Sequence, residues 1–557
     1  MKIAILAGQL VGYWGDDDRS SILASLLSAP IQSLSATPVG ISAAGLELDC
    51  WVRLQDADLV LGREPFGKTP LYWTELDSTI WFASHLQLLL PLLSQPDIDV
   101  GGLYGYSCFS YVPTPLTPVR GIQAVPAGTE WCWQAGKFGR THPVAIVSAT
   151  APVRWQQAKA QIADETFAIK QLQDLLQAAI HRQIQDLPDA PVGVLLSGGL
   201  DSSIAAALLV QNGVKVRAYT LDFGEAGISE YPYAEQVAHH LQIPLVKVPV
   251  NPKLVRSSID LTSRALDLPY GDGVTVPLYL LCQAASQDVS VIFNGEGGDQ
   301  LFAGWTNKPL IAASIYGGST DFIQPYLQTF HRLYGYERQS FQSQILAQIQ
   351  ALDPADWIGA ALDPTLTPEL LHRLRRASLM LKGAQNIQPR ATNLARWHGL
   401  KVRSIFCDLP LAEWTFGVSG TLQLQGACEK YILKRAVEDL LPAEIVWRTK
   451  RGMGVPLTAW LFQELWSDLG TWLNPQVLRA AGCWQADIAT QLVSGKFSGS
   501  IQGRRIGEVL WLIMMWERWR IQVLGAPSTR KSWNHPFWMP QPLWRQIERI
   551  RSSDRYE

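Results

Sequence analysis

The chain has 557 residues, 47% of them hydrophobic and 17% charged, and a net charge of −2. At roughly 100–200 residues per domain, that length predicts two to four domains with sizeable cores. The apolar fraction excludes a disordered chain, and the near-neutral balance excludes a general nucleic-acid binder, which needs a basic surface against phosphates.

Met1–Ala7 has a short apolar stretch, interrupted by Gly8-Gln9, and reads as a strand rather than a signal peptide. Residues 1 to about 145 are β-rich. Alternating segments such as Leu46–Val52 and Thr79–Ala83 are bounded by Gly, Pro and Asp. Gly62-Arg63-Glu64-Pro65-Phe66-Gly67-Lys68-Thr69 matches the G-x-x-x-x-G-K-T phosphate loop letter for letter. That loop works only where a helix starts at the Lys and Thr. Here Pro70 and a strand pair follow, so a hairpin is predicted instead. A Pro-containing linker lies near Thr150–Arg154, followed by a helix over Ile162–Leu187.

From Pro191 the pattern becomes α/β. Val192–Leu196, Val216–Leu221, Leu245–Val250 and Val289–Phe293 are continuous apolar strands alternating with helices, including Ser202–Val210 and Tyr231–Leu241. This predicts a parallel sheet covered on both faces. Residues 320–525 are mostly helical. Arg505–Trp516 is apolar nearly all round, which reads as a buried core helix. Its longest apolar run, Val509–Trp516, is far short of the ~20 residues that span a bilayer. The tail 526–557 sets Trp533, Phe537, Trp538 and Trp544 among Arg545, Arg549, Arg551 and Arg555. It either packs across the surface or docks a partner or membrane surface. The seven cysteines are scattered and never form Cys-x-x-Cys, which excludes a zinc ribbon and a dense disulfide framework. A cytoplasmic location is expected, with no transmembrane segment. Most of the 22 tryptophans are expected in cores.

The loop Ser197-Gly198-Gly199-Leu200-Asp201-Ser202-Ser203 follows a buried strand and opens a helix. Its glycines allow close backbone approach, its hydroxyls can donate to phosphate, and Asp201 can hold magnesium. It resembles the S-G-G-x-D-S pyrophosphate loop of the ATP pyrophosphatases. The chain resembles, more narrowly, the asparagine synthetase (glutamine-hydrolysing) superfamily over nearly its whole length. The matching stretches are Arg217–Phe223, Glu230–Ala234, Asn294–Gly304, Lys430–Lys434, Trp447–Pro456 and Arg63–Tyr72. The last explains the false phosphate loop.

That resemblance implies an α/β protein in three parts. Residues 1–150 are a β-rich, N-terminal-nucleophile-like α+β domain, a degenerate glutaminase. Residues 160–525 are an ATP-pyrophosphatase domain with a helical C-terminal part, and 526–557 the tail. It implies ATP and magnesium, and a reaction in which a carboxylate attacks the α-phosphorus before an amine attacks the acyl-adenylate. Ser197, Gly198, Gly199, Ser202 and Ser203 fall to the pyrophosphate. Asp201 and Asp299 fall to the metal, with helix capping as the alternative. Leu196, Leu221, Asn294 and Gly295 line the adenosine site, the leucines doubling as core. Lys450 stabilises phosphate charge, unless it is a solvated surface lysine. Glu296 is the base that deprotonates the incoming amine, unless it is a loop acid in a salt bridge.

The departures are informative. Lys2 stands where glutamine-hydrolysing members carry the cysteine nucleophile, and the first domain is shortened upstream of Arg63. Gln300 stands where the family loop is usually acidic. Ser404 and Cys407 alter the R-V-P-F-L-D stretch. Without a glutaminase the nucleophile should be an amine already on a substrate. The shortening resembles the macrolactam synthetases of lasso-peptide biosynthesis. β-Lactam synthetases resemble a loop with Tyr in place of Glu296. A precursor peptide, a leader peptidase and a leader-binding protein are the implied partners. An asparagine synthetase-like use of free ammonia and a silent nucleotide- or peptide-binding scaffold are the competing readings.

Overall fold

A computed structural model gives the fold, and it describes residues 2–6, 8–15, 38–42, 47–77, 79–134, 148–150, 154–227, 230–304, 322–330, 332–449, 452–497, 504–527, 536–544 and 546. The first part holds ten strands: β1 Lys2–Leu6, β2 Gln9–Trp14, β3 Val39–Ile41, β4 Cys50–Gln55, β5 Asp58–Arg63, β6 Tyr72–Leu76, β7 Thr79–Ala83, β8 Gln123–Ala124, β9 Glu130–Trp133 and β10 Ser148–Thr150. They form two antiparallel sheets, in the orders β1-β2-β7-β6-β8 and β10-β9-β5-β4-β3. Alternation along each strand sends one set of side chains to each face. Trp14, Trp73 and Phe82 from one sheet meet Val52, Leu61 and Trp133 from the other in a shared core. The first sheet's opposite face, with Tyr13, Tyr72 and Trp81, joins the largest core of the molecule. That core includes the helices Val100–Phe109 and Arg504–Gln522. The Tyr106 hydroxyl donates to the Leu512 carbonyl at 2.8 Å.

The expected strand at Leu46–Val52 begins only at Cys50. Asp49 turns its buried carboxylate to Lys68 (2.8 Å) and accepts from the Thr69 hydroxyl (3.0 Å). No helix follows Gly62–Thr69. The buried Arg63 guanidinium instead donates to the carbonyls of Thr69, Gly67 and Val125, and β6 and β7 form the hairpin, with Tyr72 opposite Ala83.

The second sheet system is all parallel, in the order β13-β12-β11-β14-β15. Its strands are β11 Val192–Leu195, β12 Val216–Asp222, β13 Leu245–Pro249, β14 Val291–Phe293 and β15 Lys401–Arg403. Helices Leu200–Gln211, Tyr231–His240 and Thr275–Ala285 alternate with them. The described residues of 320–525 are mostly helical, as expected, and β15 is a short strand among those helices: three residues carry too little periodicity to show in the sequence. The predicted helix at Ile162–Leu187 is Glu165–Ile184, started by Asp164, whose carboxylate accepts from the Phe167 N–H at 2.8 Å. The chain is thus an α/β protein. Its strand order reverses between β11 and β14, where open α/β sheets leave a crevice at their carboxyl ends.

Val509–Trp516 are buried all round. Among the described residues no helix is long and apolar enough to cross a membrane. In the tail, Phe537 and Trp544 pack on Trp466, with ring centroids 4.8 and 5.4 Å away, while Trp538 and Leu543 are exposed. Trp533, Arg545, Arg549, Arg551 and Arg555 lie outside the described residues.

Candidate active site

Two loops leave the sheet on either side of the reversal. The first, after β11, runs from Leu196 to Ser203 into the helix Leu200–Gln211. The N-terminus of that twelve-residue helix presents its first-turn N–H groups and a positive dipole end. The loop's hydroxyls fold inward: Ser197 and Ser202 oxygens are 3.2 Å apart, and Ser203 donates to the Gly199 carbonyl at 2.8 Å. The second loop, Asn294–Gly298, follows β14. Its Asn294 side chain accepts from the Glu296 N–H at 3.1 Å, and the Ser404 hydroxyl donates to the Glu296 carbonyl at 2.6 Å. The two loops touch. A Cβ at Gly298 would meet the Asp201 carboxylate oxygens at 2.6 and 2.9 Å, so only glycine permits this approach.

Asp201 and Asp299 converge on Lys430. Its ammonium donates to both Asp201 oxygens (2.7 and 2.5 Å) and lies 2.5 Å from an Asp299 oxygen. The helix N-caps are Gly199 and Gly297, without side-chain caps, so the two acids form a charged centre and not a cap. The two largely buried carboxylates, 11% and 13% exposed, offer only hard oxygen donors. Among the described residues no group of three or more His, Cys, Asp or Glu side chains is placed to hold a metal. That donor set fits magnesium, which binds through one or two carboxylates and takes its remaining ligands from water and phosphate.

A cavity of about 1050 Å³ opens over these loops. Leu196, Ser197, Gly199, Asp201, Ser202, Leu221, Asn294, Gly295, Glu296 and Asp299 line it. Gly198 and Ser203 stand behind its wall, and Lys450 lies outside the described residues. Gln300 lines the cavity too, bringing an amide where an acid was expected. Ser404 and Cys407 stand behind Glu296 instead of facing the cavity, so they shape the loop from its rear.

The same cavity has a charged chamber not foreseen from the sequence, with Asp272, Lys382, Arg390, Arg332 and Glu508 in its wall. Asp272 accepts from Arg390 (2.9 Å) and Asn386 (2.7 Å), and Arg332 faces Glu508 at 3.6 Å. Burial pushes the Asp272 carboxyl up, but Lys382, Arg390 and Arg332 outweigh it and hold its pKa at about 2. Two further cations stand at the site without a signal of their own in the sequence. Lys430 heads the Lys430–Lys434 stretch and gives no local sign of its acidic partners. Arg448 stacks on Tyr233 at 3.6 Å, 3.5 Å from the Gly198 carbonyl.

The amidotransferase-like part carries no activated thiol among its described cysteines. Burial, reinforced by Asp49, pushes Cys50 up to about 12; burial also raises Cys108 and Cys132. A thiol nucleophile needs the opposite shift.

Comparison with known proteins gives two family matches. Residues 171–521 match the asparagine synthase model, and residues 50–142 match a glutamine amidotransferase domain. Asparagine synthetase (glutamine-hydrolyzing) 1 of Bacillus subtilis is 22% identical over 431 residues, 72% of this chain. This chain spans 66% of that relative's length. A putative asparagine synthetase (glutamine-hydrolyzing) of Mycobacterium bovis is 24% identical over 501 residues, covering 82% of this chain and 74% of the relative. Among solved structures, the NH3-dependent NAD synthetase of Campylobacter jejuni aligns with 34% of this chain and 92% of that one at 14% identity. Its TM-score of 0.18 is too low to carry an argument.

Proposed function

The chain belongs to the asparagine synthase family of ATP-dependent, AMP-forming carbon–nitrogen ligases that use magnesium, and on that footing we propose that it joins a carboxylate and an amine of one peptide into a macrolactam. The observation that carries this reading is the single cavity of about 1050 Å³. Ser197, Glu296 and the charged residues of the chamber all line it, and its volume is at the upper end of the size range of small-ligand pockets. A cavity of that volume suits a second substrate beside the nucleotide. The raised thiols of the amidotransferase-like part support an amine that arrives on the substrate and not as ammonia released from glutamine.

In this reading the N–H groups and hydroxyls of Ser197, Gly199 and Ser202 receive the pyrophosphate, and Gly198 and Ser203 shape the loop behind them. Arg448 adds positive charge beside the loop, and Lys450 stabilises phosphate charge as the family resemblance implies. Asp201 and Asp299 would hold magnesium, which would supply positive charge against the pyrophosphate. Leu196, Leu221, Asn294 and Gly295 border the adenosine. Glu296 takes the proton from the amine as it attacks the activated carboxylate. The chamber wall holds both ends of the acceptor together, which makes the attack intramolecular and is worth ~7–11 kcal/mol. The walls also keep water from the activated carboxylate. A leader peptidase and a leader-binding protein that deliver the peptide, and a cytoplasmic setting, belong to the same proposal.

The curated relatives named asparagine synthetase favour a second reading, in which free ammonia is the nucleophile. Mass spectrometry of a core peptide incubated with the protein, ATP and magnesium separates the two. Loss of one water with release of AMP and pyrophosphate is expected, and Glu296→Gln should slow ring closure more than AMP release. A product whose carboxylate has become a primary amide would refute the lactam reading.

A further inference from the structure

Lys430 has an unusual setting. It starts the helix Tyr431–Val437 from a left-handed φ of 56°, a conformation non-glycine residues seldom adopt. Sparsely populated backbone conformations persist where the surroundings over-determine them, and they cluster at functional sites. The side chain is 3% exposed, and its ammonium is the meeting point of two carboxylates from separate loops. Two largely buried anions so close repel one another, and a cation between them relieves both that repulsion and the cost of desolvation.

The same oxygens fit magnesium. A divalent ion and an ammonium that share these carboxylates repel each other, in a cleft that screens poorly. A phosphate group adds negative charge and gives the ammonium a new partner. A lysine suits such an exchange, being a compact charge on a flexible four-carbon stem.

We infer that Lys430 is a positioning residue that acts as the resident counter-cation of the Asp201–Asp299 pair, excluding the free metal ion until phosphate arrives to take its ammonium. The inference rests on the ATP-dependent ligase reading. It makes metal entry conditional on nucleotide and keeps both acids aligned in the empty enzyme.

Mn2+ alone, titrated into the full chain without nucleotide and followed by electron paramagnetic resonance of the free ion, tests this. Lys430→Gln should bind Mn2+ at least tenfold more tightly than the wild type. Equal affinities, with the fold of the variant intact by circular dichroism, would overturn the inference. A second measurement needs no variant. The wild-type melting temperature should respond little to Mn2+ or inorganic pyrophosphate alone and rise clearly with both. Stabilisation by Mn2+ alone as large as with pyrophosphate would also overturn it. A protein that shows this coupling yet never forms AMP would refute the ligase reading and leave the counter-cation role standing.

Discussion

Asp272→Asn isolates the charge at the heart of the chamber. The amide keeps the size of the carboxylate and can still accept from Asn386, but three nearby cations lose their counter-charge. The folded-state pKa of about 2 lies nearly two units below the usual 3.8. At 1.36 kcal/mol per unit, the ionised carboxylate contributes about 2 kcal/mol to stability at neutral pH. The sign follows from the direction of the shift. A depressed acid stabilises above its unfolded pKa, and the contribution disappears as pH falls through the folded one. About 1 kcal/mol should remain at pH 3 and almost none below pH 2. Thermal denaturation of wild type and variant from pH 7 to pH 3 measures this. The variant should melt a few degrees lower at pH 7, with the gap narrowing as the buffer is acidified. A gap that stays constant from pH 7 to pH 3 would mean that shape and not charge makes the difference.

Two further outcomes follow from distances in the same region and from cysteine burial. Gly304→Ala places a methyl group against the Asp299 carboxylate and the Lys430 stem, so it should cost ~1–3 kcal/mol of stability. Nucleotide binding, read by calorimetry with a non-hydrolysable ATP analogue, should weaken in parallel; an unchanged melting temperature and affinity would show that the centre tolerates a shift. Alkylation of the native protein with iodoacetamide should spare Cys50, Cys108, Cys282, Cys407 and Cys483, which are buried, and modify Cys132 and Cys428 first. Peptide mapping that finds Cys50 labelled as quickly as Cys428 would contradict its raised pKa.

The parts of the site carried by contiguous residues were legible in the sequence. Val192–Leu196 announces a buried strand by its unbroken apolar run, and Ser197–Ser203 announces a phosphate loop because few other functions need glycine, serine and an acid together. The Asn294–Gly304 stretch is similarly self-contained. What stayed hidden depends on distant pairing. Lys430 meets Asp201 across 229 residues, and a lysine heading a helical run looks like any solvated lysine until the fold delivers it. The chamber draws Asp272, Arg332, Lys382, Arg390 and Glu508 from well-separated stretches, each of which alone reads as an ordinary surface charge. Alternation identified strands such as β7 but could not say which sheet each would join, because pairing between strands leaves no local mark.

The contact between Tyr106 and Leu512 bears on how such a chain can be rearranged. A residue of the first part and one of the C-terminal helix share one hydrogen bond inside one continuous core, and Arg396 likewise reaches Gln9 and Thr69. Cutting the gene between these parts would expose two large apolar faces. Separately expressed halves should aggregate, while co-expressed halves should find each other. Recombination that exchanges the first part for a relative's must also bring a complementary C-terminal helix. Whatever chemistry the first part carries, it would thus be retained because its partner cannot fold cleanly without it.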